Sequence, residues 1–243
     1  MENQTIFGLH SVKAALLNKK RRHIELIVNE NHRDFAKKFQ GKIKKISIID
    51  HKEFKRKYGG EQSTQGVVLK TKRLEVPSLE NFLEEEEQKA NSVIIMLDQI
   101  TDPQNIGSIM RSCALFNCKC MVVAKDNAPD LTPSLLKAAS GAAEIVNYFK
   151  VINLRRTLSI LKKNNYWVYG FDSSKYKQTD INFHKKSVLV FGSEGKGIRE
   201  LIKKESDILI QLKSKPNLEY NIDSLNVSNA SAIALYEFYK KFN

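Results

Sequence analysis

The sequence predicts an α/β fold in two parts, a small mixed α/β unit followed by a larger domain on a parallel sheet. Two patterns predict it. From Ser92 onward, short apolar runs alternate with helical ones: Val93–Leu97, Cys120–Ala124, Ile145–Phe149, Trp167–Phe171, Val188–Phe191 and Ile208–Leu212 read as strands. Strands apolar throughout and separated by helices are covered on both faces, the signature of a parallel sheet. Before Leu74 the alternation is shorter and strongly basic, and the two parts are separated by a stretch broken at Pro77 and filled with acid at Glu84–Glu87. The expected organisation is therefore an N-terminal unit over 1–73, a helix-like linker over 74–91 and the parallel-sheet domain over 92–243.

In the first part the spacing predicts helices over His10–Asn18, His32–Phe39 and Lys52–Tyr58, and strands over Ile24–Val28, Ile46–Ile49 and Gly66–Lys70. In the second, helical patterns fall at Asn105–Phe116, Leu135–Ala139, Leu154–Lys163 and Ile198–Lys204, with a final helix over about Asn229–Lys241. Ligands in such sheets bind beyond the carboxyl ends of the strands, which is where the loops starting at Asp98, Gly192 and Lys213 fall.

Across 243 residues, 40 Lys and Arg oppose 27 Asp and Glu, a formal charge of +13 that favours a polyanionic partner such as nucleic acid over an anionic membrane. The basic residues cluster at Lys19–Arg22, between Lys37 and Lys45, and at Lys55–Lys57, as expected of a surface that tracks phosphates. Cys113, Cys118 and Cys120 lack a second pair at metal-ligand spacing and read as buried thiols, so no metal is expected. No apolar run approaches the roughly 18 residues of a membrane span, and MENQTIFGLH lacks the design of a signal peptide, so a cytosolic protein is expected.

Three loops carry the candidate chemistry. In LDQITDPQNIGSIMRSC, Asp102-Pro103 reads as a helix start, and Asn105, Ser108 and Arg111 lie three apart on one face. In FGSEGKG the glycines at 192, 195 and 197 reverse the order of a dinucleotide fingerprint, and Lys196 is not followed by Ser or Thr as a P-loop needs. Glu194 in that loop would repel a phosphate, which suits a ligand offering donors or positive charge. In DSLNVSNAS, Ser224, Asn226, Ser228 and Asn229 exceed what a helix cap uses, and asparagine amides both donate and accept. The five histidines fall mainly in the first part, which disfavours a Ser-His-Asp hydrolase, and Tyr166–Tyr169 reads as a core strand rather than a base platform.

Together NIGSIMR, VLVFGSEGKG and SLNVS resemble the three motifs of the SpoU (TrmH-type) RNA ribose 2′-O-methyltransferases, within the SPOUT superfamily. The likeness extends through KAASGAAE at Lys137–Glu144, FGLHSVKAAL at Phe7–Leu16 and STQGVV at Ser63–Val68. The resemblance implies a C-terminal SPOUT domain with a trefoil knot and a small, ribosomal-protein-like, N-terminal RNA-binding domain. It also implies a homodimer with the first-motif helix near the interface, S-adenosylmethionine as cofactor, and a guanosine 2′-hydroxyl of large-subunit ribosomal RNA as substrate. Alternatives on the same fold are a transfer RNA 2′-O-methyltransferase and a noncatalytic RNA-binding or ribosome-assembly factor. By motif, Gly192, Leu212 and Leu225 would contact the cofactor, while Asn105, Arg111, Glu194, Ser224 and Asn226 would line the reaction centre. The family's favoured base matches Arg111; a guanidinium, which holds its proton firmly, is better suited to hold the RNA phosphate beside the target ribose. Between Leu212 and Asp223 this chain has LKSKPNLEYNID, longer than the usual family loop and without its glycine.

Overall fold

The structure, a computed structural model, describes residues 2–59, 64–172, 181–212 and 224–243. The loop over Lys213–Asp223 and the first residue of STQGVV lie outside them. Contacts group the chain into two units, Met1–Val76 with Leu131–Ile145, and Pro77–Asp130 with Val146–Asn243.

The first unit holds a four-stranded sheet in the order β1 (Asn3–Phe7), β4 (Val67–Lys72), β2 (His23–Asn29), β3 (Ile46–Ile49), with β4 antiparallel to both β1 and β2 and β3 parallel to β2. The sequence reading missed β1: its residues are polar or half-buried except Ile6, so no apolar run announces it. Helices α1 (Leu9–Leu17), α2 (Arg33–Lys37) and α3 (His51–Tyr58) complete the expected alternation, although the stretch read as one helix from His32 divides into a 3₁₀ turn, Glu30–His32, and α2. Asp50 caps α3 by accepting from the backbone N–H of Lys52 and Glu53 at 2.9 Å each, and the helix buries Phe54 against Ile27 and Val68.

Leu131–Ile145 belongs to this unit by its contacts. It carries α6 (Pro133–Ala139), capped by Thr132, whose Leu136 carbonyl accepts from Ser11 Oγ at 2.8 Å. Its Glu144 carboxylate takes Arg21 Nε at 2.7 and 2.9 Å and Asn18 Nδ2 at 2.8 Å, while Arg21 Nη1 donates to Gln4 Oε1 and the Lys72 carbonyl. Both side chains are buried, 1% and 7% exposed. Arg21 is thus not part of a phosphate-facing cluster; its neighbours Lys19, Lys20 and Arg22 are exposed.

The second unit is built on six parallel strands in the order β10 (Ile208–Ile210), β8 (Trp167–Phe171), β9 (Lys186–Gly192), β5 (Ser92–Asp98), β6 (Cys120–Ala124), β7 (Asn147–Val151). The sheet is covered by α5 (Pro103–Leu115), α7 (Leu154–Lys163), α8 (Glu200–Glu205) and α9 (Val227–Phe242). The stretch expected as a linker forms α4 (Leu79–Glu87), and Leu79, Phe82 and Leu83 are buried in the core with Ile94, Phe149 and Leu158. Apolar residues at i, i+3 and i+4 put Glu84, Glu85 and Glu87 on the opposite, exposed face. Glu86 is buried instead, accepting from Ser92 Oγ at 2.6 Å, which in turn accepts from Tyr166 OH at 2.8 Å. Tyr166 and Tyr169 are core residues as expected, but Trp167 is 44% exposed and stacks on His184 at 3.8 Å. All three cysteines are free and buried, and burial pushes the Cys113 and Cys120 thiols well up.

Candidate functional site

The strand order puts β5 and β9 side by side, with Asp98 opposite Gly192 in register, so the loops that follow them leave the sheet together. Gly192 ends β9 where the chain folds back on itself. A Cβ there would lie 2.0 to 2.2 Å from backbone atoms of Gly197 and Ile198, a contact no side chain tolerates. The turn from Ser193 to Gly197 is closed by an antiparallel bridge, with Gly197 N–H donating to the Ser193 carbonyl at 2.8 Å.

Helix α8 does not begin at Ile198 as the sequence reading expected but at Glu200; Ile198 is buried in the core. The difference has a physical cause in Asp98. Its fully buried carboxylate accepts Arg199 N–H at 2.9 Å on one oxygen and Arg199 Nε at 2.8 Å on the other, which also lies 2.8 Å from Nη2 as an ion pair. The Arg199 N–H, at the N-cap of α8, is thereby satisfied within the protein.

Next to this loop lies a cavity of about 280 Å³ at the carboxyl rim of β8, β9 and β10. Its lining includes the stacked rings of Phe171 and Phe191, 4.6 Å apart, the carboxylates of Asp172 and Glu194, and Leu212 and Leu225. Gly192 and Ser224 also line it.

Asn226 joins the three candidate loops. It is the N-cap of α9, its Oδ1 accepting Ser228 N–H at 2.9 Å, and its Nδ2 donates to Glu194 Oε1 at 2.6 Å and to Asn105 Oδ1 at 3.0 Å. Asp102 caps α5 as expected, accepting from the N–H of Gln104 and Asn105, and so fixes the turn that presents Asn105. Of the eight sequence-predicted site residues, Asn105, Glu194 and Asn226 form this cluster, and Gly192, Leu212, Ser224 and Leu225 line the cavity with Glu194. Arg111 stands exposed further along α5 and takes no part in the cluster.

Sequence reasoning missed Asp98 and Asp172, which hold the rim. Each is a lone acid directly after an apolar strand, and that placement was the available signal, since a charge at the end of a buried strand needs a partner. Among the described residues, no group of three or more His, Cys, Asp or Glu is placed to hold a metal ion.

A glycine turn and a polar cluster at the rim of a covered parallel sheet define an α/β ligand-binding domain of the kind that binds at a topological switch point. The chain belongs to the SpoU rRNA methylase family, whose model matches residues 92–236; residues 5–77 match the RNA 2′-O ribose methyltransferase substrate-binding model. The 23S rRNA (guanosine-2′-O-)-methyltransferase RlmB of Coxiella burnetii is 31% identical over 243 residues, covering 96% of this chain and 94% of that protein. An uncharacterized tRNA/rRNA methyltransferase of Borreliella burgdorferi is 33% identical over 199 residues, 80% of this chain and 81% of its own length. Among solved structures, the SpoU methyltransferase AviRb of Streptomyces viridochromogenes in complex with AdoMet shares the fold at a TM-score of 0.77 and 17% identity, covering 98% of this chain and 90% of that one.

Proposed function

We propose that the chain is an S-adenosylmethionine-dependent RNA ribose 2′-O-methyltransferase acting on a guanosine of 23S ribosomal RNA. One observation carries the reading: Asn105, Glu194 and Asn226, from three distant stretches, meet in one hydrogen-bonded cluster at a cavity on the carboxyl rim. The relatives named for guanosine 2′-O-methylation of 23S rRNA, matched over nearly the full chain, supply the substrate. The cavity suits the cofactor. Gly192 has no side chain where the turn doubles back beside the cavity, the Phe171 and Phe191 rings offer apolar surface, and the Glu194 carboxylate disfavours a phosphate-bearing ligand.

When bound, S-adenosylmethionine supplies a methyl group on a sulfonium sulfur, open to in-line attack by a ribose oxygen. Gly192, Leu212 and Leu225 hold the cofactor. Asn226 and Ser224 orient the hydroxyl, with Glu194 and Asn105 fixing the Asn226 amide. As the methyl moves, the ribose hydroxyl gives its proton to solvent and the positive charge at sulfur is discharged to a neutral thioether, so positioning and exclusion of bulk water from the methyl contribute more than an oxyanion hole. Arg111, exposed on α5, binds the RNA phosphate beside the target ribose. The exposed cations of the first unit, among them Lys19, Lys20, Lys44 and Lys55, track the transcript.

The protein acts in the cytoplasm as a homodimer, its sheet threaded in a trefoil knot. In support of the dimer, Leu115 on α5 and Ile233, Tyr236 and Tyr239 on α9 are 38% to 68% exposed, and Phe116 packs on both tyrosines. In support of the knot stand family membership and the order β10-β8-β9-β5, which brings the chain back past an earlier strand. The noncatalytic alternative is not favoured, because one polar residue from each of the three motifs, Asn105, Glu194 and Asn226, meets the others in one cluster.

The test is transfer of labelled methyl to unmodified ribosomal RNA followed by mapping of ribose methylation. The expected product is a single 2′-O-methylguanosine in 23S RNA. No transfer to any RNA by the intact protein would overturn the reading; methylation of transfer RNA alone would reassign the substrate.

A further inference from the structure

Asp172 follows the last residue of β8 and lines the cavity, yet no motif contains it. It is 8% exposed, and its carboxylate is 2.7 Å from the Lys203 ammonium on α8. Lys203 is itself 12% exposed at the side chain and also reaches Glu200 at 3.2 Å. The hydrogen bond that Lys203 donates to Asp172 is the main cause raising the Lys203 amine above its ordinary value, so Lys203 keeps its positive charge beside the carboxylate near neutral pH. Asp172 Oδ2 faces the glycine turn. A Cβ at Gly197, whose φ is +65°, would come within 3.1 Å of that oxygen.

Two features decide what such a carboxylate does. First, the pair with Lys203 carries no net charge, so it is a poor counter-ion for a sulfonium or an ammonium, but a carboxylate keeps acceptor capacity beyond one lysine. Second, the strand order sets Asp172 and Asn105 on opposite sides of β9, with Glu194 on the turn between them: Asp172 leaves β8, whereas Asn105 lies on the helix that follows β5. The reacting methyl group belongs near Asn226, so Asp172 meets the part of the cofactor remote from it. Of the groups remote from the methyl, the α-ammonium is charged and suits that neutral pair poorly, which leaves the adenosine, whose ribose diol and adenine amine are neutral donors.

We infer that Asp172, positioned by Lys203, is a specificity-determining residue of the cofactor pocket that accepts a hydrogen bond from a neutral donor on the adenosine half of the ligand. This rests on the S-adenosylmethionine reading of the cavity. The ribose diol and the adenine amine share the chemistry, and the choice between them is made by the arms of the test.

The experiment is calorimetric titration of the full-length protein with S-adenosylhomocysteine and with its 2′-deoxy, 3′-deoxy and inosine counterparts, each lacking one donor. The expected result is a loss of about 10- to 100-fold in affinity for one of the three, as for a hydrogen bond to a charged acceptor. In Asp172→Asn, S-adenosylhomocysteine weakens by a similar factor, while the sensitive analogue binds the variant and the original protein equally. A merely structural role predicts the same loss for every ligand. Should the variant fail to fold, the analogue series on the unaltered protein still decides: all three binding within twofold of S-adenosylhomocysteine overturns the inference. If neither S-adenosylmethionine nor S-adenosylhomocysteine binds the unaltered protein, the cofactor reading itself fails; normal binding with no analogue effect sinks only the role of Asp172.

Discussion

Asp98 and Arg199 are 101 residues apart, and the carboxylate of the first takes two hydrogen bonds from the second, one from the backbone and one from the guanidinium Nε, with Nη2 in ion-pair contact at 2.8 Å. Asp98 is fully buried, whereas the Arg199 side chain is 45% exposed, so the two halves of the pair are not equivalent. Breaking a buried pair costs roughly 3–5 kcal/mol when a buried charge is left behind. Arg199→Ala leaves one and is expected near the lower end of that range. Asp98→Asn leaves a cation that can hydrate and is expected to cost about 2 kcal/mol. Chemical denaturation of both single variants checks the order; a larger loss for Asp98→Asn would contradict it.

The Asn226 amide serves two purposes that substitution can separate. Its oxygen caps α9 and its nitrogen joins Glu194 and Asn105. Asn226→Asp keeps the cap but places a second carboxylate on Glu194, so stability should stay within ~1 kcal/mol while methyl transfer falls at least ~100-fold. Asn226→Ala should lose both, with a cap penalty of ~1 kcal/mol. Thermal melts set beside single-turnover rates separate the two roles.

The glycine turn gives a contrast between neighbouring positions. Alanine at 192 would collide with the backbone of Gly197 and Ile198, and binding of S-adenosylmethionine should be abolished. Alanine at 195 meets nothing within 4 Å and has only the strain of φ +84° to absorb, about 1 kcal/mol. Gly195→Ala should therefore retain cofactor affinity within a few fold. Calorimetry on the pair of variants measures the difference directly.

In the first unit, Glu25 accepts from Lys45, the main cause, and from Ser47 and Lys70, which lowers its carboxyl from 4.5 to about 2. Its folded-state value lies below its unfolded one, so the unfolded chain binds the extra proton and the contribution is complete above about pH 4.5. It is lost as pH falls from there towards 2. Glu25→Gln should flatten the acid limb of the stability profile in that window and leave the neutral plateau less affected by further acidification. Denaturant midpoints measured from pH 6 down to pH 2 test the sign.

Much of this architecture was legible because apolar runs and glycines report backbone demands directly. Leu154–Lys163, Trp167–Phe171 and Cys120–Ala124 coincide with α7, β8 and β6, where a short run between turn signals has only one reading. Strand β1 was not legible, since four of its five residues are exposed or half-buried and its partner β4 lies some 60 residues away. Asn105, Glu194 and Asn226 could be named because an amide or a carboxylate in a loop has little structural use there. Their meeting could not be foreseen, because it depends on the strand order. Asp98 and Asp172 carry no motif, and their partners Arg199 and Lys203 look like ordinary surface cations until the fold sets each against its carboxylate, Arg199 still 45% exposed and Lys203 largely covered.

The buried bond between Arg21 and Glu144 bears on how the chain is made. As residues leave the ribosome, the first 76 emerge long before the 131–145 segment that completes their unit. Until then Arg21 has no counter-charge and Ser11 no carbonyl from Leu136 to bond. The leading unit therefore completes its buried pairing only after Glu144 has been synthesised, and a nascent chain halted before that residue would carry a front end with Arg21 lacking this counter-charge.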